Sequence, residues 1–364
     1  QRFDFDATAI ARLRDTGAVL VAKLGTVELA GGMGYEQPNA SLTGPGLNPW
    51  NLDAWSGGSS SGPGSAVGAG AVPFALGSET WGSILTPSSY CGITGLRPTY
   101  GRVSRFGGMV LSWTLDKIGP MCRSADDCGL VLDAIAGPDP NDPSTSPERF
   151  RYRPEDEPTQ GFRIGVLEES LETAQPEVRA NFEAALGVLD EFAHLEPVTL
   201  PDFPYNEAAR LILSAEAASA FEEMLDSGIL LGLTAPEDRT GGYAGLTIPA
   251  VDYLRAMRIR RQARAALSAL LARYDAIAHP ATAVVASPLS MRFDDYAGKE
   301  RRLPLGSAGN LAGLPAISVP NGFGERGLPT GLQLVGAAGS ENRLLAVARA
   351  YQARTDWHLR RPPL

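Results

Sequence analysis

The sequence predicts an α/β protein: a large mixed, mainly parallel β-sheet covered by helices on both faces. Short β-branched or apolar runs, punctuated by Gly and Pro, alternate with stretches of helical periodicity along the whole chain. With 364 residues, 44% of them hydrophobic and 20% charged, the chain can bury such a sheet within one domain.

Asp6 to Thr16 spaces Ala, Ile and Leu at helical intervals, with Asp6 as N-cap and Gly17 as terminator. The run "AVLVAKLG" that follows reads as a buried strand. Pro63 to Gly70 is rich in small residues and reads as a closely packed helix, and "VPFAL" (72–76) as the next strand. Ser124 to Ile135 is amphipathic and ends at Gly137-Pro138. Residues 138–160 are rich in Pro and charge, the expected mobile surface connection. Order resumes with the strand in "FRIGVLEES", a helix from Glu177 to Ala193 and a strand in "VTLPDF". Long helices are expected over 205–227 and 250–273, the second carrying a row of arginines that reads as a solvated or ion-paired face. The segments "YDAIAHP", "GLPAISVP" and "TGLQLVG" are late strands before a final helix, Glu341 to Arg354.

A net charge of −9 opposes a nucleic-acid footprint. No apolar run is long enough to span a membrane. Cys91, Cys122 and Cys128 form no C-x-x-C pair and read as reduced thiols of a cytoplasmic protein. Gln1 is followed by no leader and reads as a processed or truncated end.

The usual catalytic arrangements are missing. His194, His279 and His358 lie in ordinary structural settings, and neither metal-ligand spacing nor a phosphate-binding glycine motif is met, so no metal or cofactor is expected. Serine chemistry without histidine remains open, because a neutral lysine can act as base and a second hydroxyl can relay the proton. Ser83, after the Gly-containing turn Thr80-Trp81-Gly82, is the candidate nucleophile, since such a turn aims successive N–H groups at one oxygen. Ser59, after Gly57-Gly58 and ahead of a helix, is the candidate relay. The bland alternative is a Gly-Ser linker, but "AVGAGAVPFALGSETWGSI" has the makeup of buried core.

The segments "GGSSSGPGS" (57–65), "GSETWGSI" (77–84), "CGITGLRPTYGRVSRFG" (91–107), "LDKIGPMCRSADD" (115–127), "NLAGLPAISVPNGF" (310–323) and "GLPTGLQLVG" (327–336) together resemble the amidase signature family. That resemblance implies the amidase signature fold and a Ser–cis-Ser–Lys serine hydrolase without metal or organic cofactor. Ser83 matches the nucleophile and Ser59 the cis-serine, preceded by a cis Gly58–Ser59 peptide. The backbone of Thr80, Trp81, Gly82 and Ser83 matches the oxyanion hole, and Ser60 a supporting hydrogen-bonder. Three positions depart from the family's pattern: Trp81 where many members have Gly, Leu85 where many carry Arg, and Pro63 in place of Gly.

The base is the larger departure. The chain has three lysines. Lys23 falls in a segment whose family lysine is not the base, Lys117 in the "LDxIGP" segment, and Lys299 in a polar stretch. The family's catalytic lysine corresponds to a position upstream of Gln1, so the expectation is a longer protein. Three functions follow: a hydrolase of small amides, esters or carbamates, the glutaminase subunit of an aminoacyl-tRNA amidotransferase, or an inert scaffold. Trp81 and Leu85 favour a neutral, apolar acyl group over a charged one.

Overall fold

A computed structural model describes residues 3–298 and 303–363. Its strands are β1 (Leu47–Asn48), β2 (Asn51–Trp55), β3 (Phe74–Glu79), β4 (Thr94–Arg97), β5 (Lys117–Cys122), β6 (Phe162–Leu167), β7 (Ala193–Val198), β8 (Ala276–Pro280), β9 (Ala316–Phe323) and β10 (Pro329–Val335). The first two form a hairpin. The other eight form one sheet in the order β3-β5-β4-β9-β10-β8-β6-β7. The sheet is mixed, as expected, but parallel pairing is in the minority: β6 pairs parallel with β7 and β8. The five pairings from β3 across to β8 are antiparallel.

The helices are α1 (Thr8–Asp15), α2 (Ser61–Gly68), α3 (Leu85–Cys91), α4 (Ala125–Ile135), α5 (Pro176–Asp190), α6 (Tyr205–Ala220), α7 (Glu222–Asp226), α8 (Pro236–Leu246), α9 (Ala250–Leu271), α10 (Phe293–Ala297), α11 (Pro304–Ala312) and α12 (Glu341–Gln352). They cover both faces. One core gathers α1, α4, α5 and α12 around Leu96, Ile164, Ile317 and Leu334. The other gathers α2, α3, α6, α9 and α11 around Ile84, Met121, Ile277 and Val335. Adjacent strand residues thus face opposite cores, as period-2 alternation requires.

Several expectations shift. The run 18–25 is not a strand: it has no regular structure, and Val19, Leu20 and Val21 are 82%, 64% and 71% exposed. A β-branched run becomes a strand only where a neighbour offers a hydrogen-bonding edge. Asp6 does not cap α1, whose N-cap is Ala7; its carboxylate pairs with Arg14 instead. The strand expected in "VTLPDF" runs earlier and ends at Val198, because it is registered residue for residue on β6. Pro201 and Pro204 could not have donated to the ladder beyond it. Within 138–160, Asp139 and Asp142 are buried, accepting from Ser104 Oγ (2.5 Å) and Arg105 N (2.8 Å), while residues 158–161 are exposed. In the arginine row, Arg255 pairs with Asp252 (2.9 Å) and Arg260 donates to the Thr114 carbonyl (3.3 Å).

Candidate active site

The run that could have been a linker is the packed centre of the molecule. After Trp55 the chain turns through Gly57, whose φ is +86°; a Cβ there would stand 2.6 Å from Pro87 Cα. The Gly58–Ser59 peptide is cis. Ser59 and Ser60 are buried where α2 begins. The Ser59 carbonyl accepts from Val27 N at 3.0 Å. Ser60 N donates to the Ser83 carbonyl (3.2 Å), and Ser60 Oγ is 3.2 Å from both the N and O of Ser78. Ser60 therefore ties the cis-peptide turn to strand β3 and to Ser83 at once.

Strand β3 ends at Glu79, and residues 80–83 form the turn into α3. Gly82 has φ +99°, a conformation that other L residues rarely adopt. Both ends of this turn are held by buried groups. Ahead of α3, Glu79 Oε2 accepts from Ile84 N (2.8 Å) and Leu85 N (3.0 Å). Its other oxygen accepts from Arg97 Nη1 (2.8 Å) and Asn310 Nδ2 (2.9 Å). Burial pushes the Glu79 carboxyl up, but the charges of Arg97 and Lys117 and these hydrogen bonds outweigh it and hold it below the usual value. At the other end, Thr80 Oγ1 donates to Asp116 Oδ1 (2.6 Å), which also accepts from Leu111 N and Ser112 N through Oδ2. The Thr80 carbonyl lies 3.4 Å from Lys117 Nζ, which donates to Asn310 Oδ1 at 2.8 Å.

A pocket opens over this turn. Gly58, Thr80, Trp81, Gly82 and Ser83 lie along its floor. Aromatic side chains from other segments wall it: Tyr35, Trp55, Tyr90, Phe293 and Tyr296. Trp55 stacks on Phe293 with centroids 4.6 Å apart. Trp81 also lines the pocket, its Nε1 donating to Ser307 Oγ (2.9 Å), which donates to Asn206 Oδ1 (2.5 Å). Leu85 is buried and reaches the same wall. None of the described lining residues carries a formal charge. Tyr90 is in α3.

The structure thus brings Ser59, Ser60 and the 80–83 turn together, and separates them from the histidines. His279 is buried on β8 with Nε2 3.1 Å from the Glu169 carbonyl, and burial lowers its pKa to about 4. His194 is exposed beside Glu196. Of the lysines, Lys23 is exposed and Lys299 lies outside the described residues. Lys117 is fully buried beneath the Ser83 turn. Burial, with the nearby Arg97 charge, lowers its pKa to about 7. The network of Glu79, Arg97, Asn310 and Lys117 was not anticipated from the sequence. A faint signal existed, a lysine inside an apolar strand run, but its partners come from β3, β4 and α11.

Comparison with known proteins shows the family. Residues 1–345 match the family model described as Amidase. A glutamyl-tRNA(Gln) amidotransferase subunit of Roseiflexus sp. (strain RS-1) is 40% identical over 99% of this chain and 78% of its own. That of Moorella thermoacetica is 38% identical over the same shares. Among solved structures, the native peptide amidase of Stenotrophomonas maltophilia superposes with a TM-score of 0.82 and 33% identity, over 99% of this chain and 78% of that one. The corresponding amidotransferase structure from Thermotoga maritima gives 0.79 and 33%, over 96% and 77%. By family match, sequence identity and fold, the chain belongs to the Amidase family of amide-cleaving enzymes.

Proposed function

We propose that this protein cleaves carboxylic amides through an acyl-enzyme on Ser83. Ser83 Oγ bonds to the carbonyl carbon while its proton passes through the Ser59 hydroxyl towards an amine base. The carbonyl oxygen, now negative, faces the backbone N–H groups of residues 80–83. Collapse breaks the C–N bond, and the proton returns through Ser59 to the leaving nitrogen. Water then repeats the cycle on the ester, releasing the acid and regenerating Ser83. In this reading the base is the lysine that the family resemblance assigns to a position upstream of Gln1, since Lys117 is engaged beneath the turn and Lys23 points to solvent. The carrying observation is the joining of the Ser59 turn to Ser83 through Ser60, at the floor of a pocket.

The relatives' names favour an amidotransferase subunit, and in the glutaminase reading of such a subunit the amide donor is glutamine. The aromatic wall and Trp81 favour a neutral aryl or apolar amide, ester or carbamate. Steady-state kcat/KM for glutamine against a p-nitroanilide, with and without partner subunits, separates the two; a higher value for glutamine selects the amidotransferase. Ser83→Ala should abolish turnover and fluorophosphonate labelling with little change in Tm. Ser59→Ala should cost about 10²–10⁴-fold in kcat, the usual range for a lost proton-transfer step. A Ser83→Ala enzyme keeping a tenth of the activity rejects the assignment, and an unmodified protein that never labels is an inert scaffold.

A further inference from the structure

We infer that Lys117 is a positioning residue for the oxyanion site: its amine, fixed against the Thr80 carbonyl, polarises the Thr80–Trp81 peptide and strengthens the Trp81 N–H as a donor to the developing oxyanion. The inference rests on the reading of Ser83 as nucleophile and of the 80–83 backbone as oxyanion site.

The geometry is short-range and specific. Lys117 opens β5 directly opposite Glu79, the last residue of β3, so its side chain lies under the turn that carries Ser83. Its amine is held at 2.8 Å by Asn310 Oδ1 and lies 3.4 Å from the Thr80 oxygen. That oxygen and the Trp81 N–H are the two ends of one peptide group. A positive charge at the oxygen withdraws electron density through the conjugated C–N bond, and the N–H at the far end becomes a stronger donor. Water cannot screen this, because Lys117, Glu79 and Arg97 are buried. Asn310 fixes the amine's direction, because its Nδ2 is anchored on Glu79 and on the Gly306 carbonyl (3.0 Å), leaving Oδ1 for lysine.

The amine is not neutralised by a partner of its own. Glu79 faces it from β3 but already takes Arg97 of β4. Asp116, its neighbour, is committed to Thr80 and two backbone amides, and burial raises its pKa. Arg260 of α9 adds a further positive charge. Burial most of all, and after it the Arg97 charge, bring the amine's pKa to about 7. The charged form, which polarises the peptide most, is therefore populated below pH 7 and lost above it.

The test is made in the full-length natural protein, with partner subunits if activity needs them, on whichever of glutamine or p-nitroanilide it turns over. Lys117→Met keeps the length and removes the donor; Lys117→Gln keeps a neutral N–H donor. The expected result is a kcat lower by about 10- to 100-fold in Lys117→Met, short of the 10²–10³-fold lost when an oxyanion donor is removed outright. KM should stay within about twofold, and affinity for phenylboronic acid, which mimics the tetrahedral adduct, should fall in parallel with kcat. Lys117→Gln should recover part of the rate, and the ratio of wild-type to Lys117→Gln kcat should shrink as pH rises through 7. A pH-independent ratio, or a boronate affinity unchanged while kcat falls, overturns the inference. If Lys117→Met does not fold, the Lys117→Gln ratio and boronate affinity decide alone. A Ser83→Ala variant that stays active instead overturns the reading of the site itself.

Discussion

At the scale of residues, Glu79 organises the site more than either serine does. One buried carboxylate accepts from Ile84 N, Leu85 N, Arg97 and Asn310, so it fixes the start of α3 and hence the direction of Ser83. Glu79→Gln would turn an NH2 group towards one of these donors and leave Arg97 buried without its counter-charge. Breaking a buried pair from one side costs about 3–5 kcal/mol. Urea unfolding should show a loss of that size, with kcat falling as well because the turn loosens. A variant as stable and active as the parent would remove Glu79 from this role. Ser83 and Ser59 were legible in the sequence because each sits within a contiguous motif. Glu79's partners were not, since Arg97 and Asn310 reach it only through strand order and the placement of α11.

At the scale of elements, the wall of the pocket is tied down by a pair of acids. Glu28, in the turn Glu28–Gly31 beside the pocket, accepts from Thr234 N (2.9 Å) and Ala235 N (2.8 Å) at the start of α8. Asp238, in the first turn of that helix, is fully buried next to it. Burial, then the nearby Glu28 carboxylate, raise the Asp238 pKa to about 8. The folded state thus prefers protonated Asp238, whereas the unfolded chain titrates it near 3.9. Its stabilising contribution is complete below about pH 4 and declines as pH rises towards 8. Asp238→Asn should therefore lose little at pH 5 and gain Tm over the parent at pH 8.5. Parallel Tm–pH curves for the two proteins would contradict this. The same scale explains the exposed run 18–25: its composition is that of a strand, but strand formation depends on an edge that composition does not reveal.

At the scale of the whole molecule, the two halves of the chain are interleaved. Strand β4 from the first half pairs with β9 from the second, and Arg102 meets Glu341 in a buried ion pair at 3.0 Å. Cutting the exposed residues 158–161 removes no core contact. Limited proteolysis there should leave two fragments that elute as one particle on size exclusion and label with fluorophosphonate as the intact chain does. Fragments that separate under native conditions would show the halves to be independent units.

The sequence by itself determined the α/β class, the helices other than α3, α8, α10 and α11, and the motifs that hold Ser59 and Ser83. These are set by periodicity and by contiguous glycine-serine motifs, information local along the chain. Only the tertiary structure decided that most strand pairings are antiparallel, that 18–25 stays unpaired, and that Lys117 lies under the Ser83 turn. Each of these depends on which segment becomes a neighbour in space. A lysine in an apolar strand is written in the sequence, but the carbonyl, amide and carboxylate that give it a role come from segments up to 193 residues away.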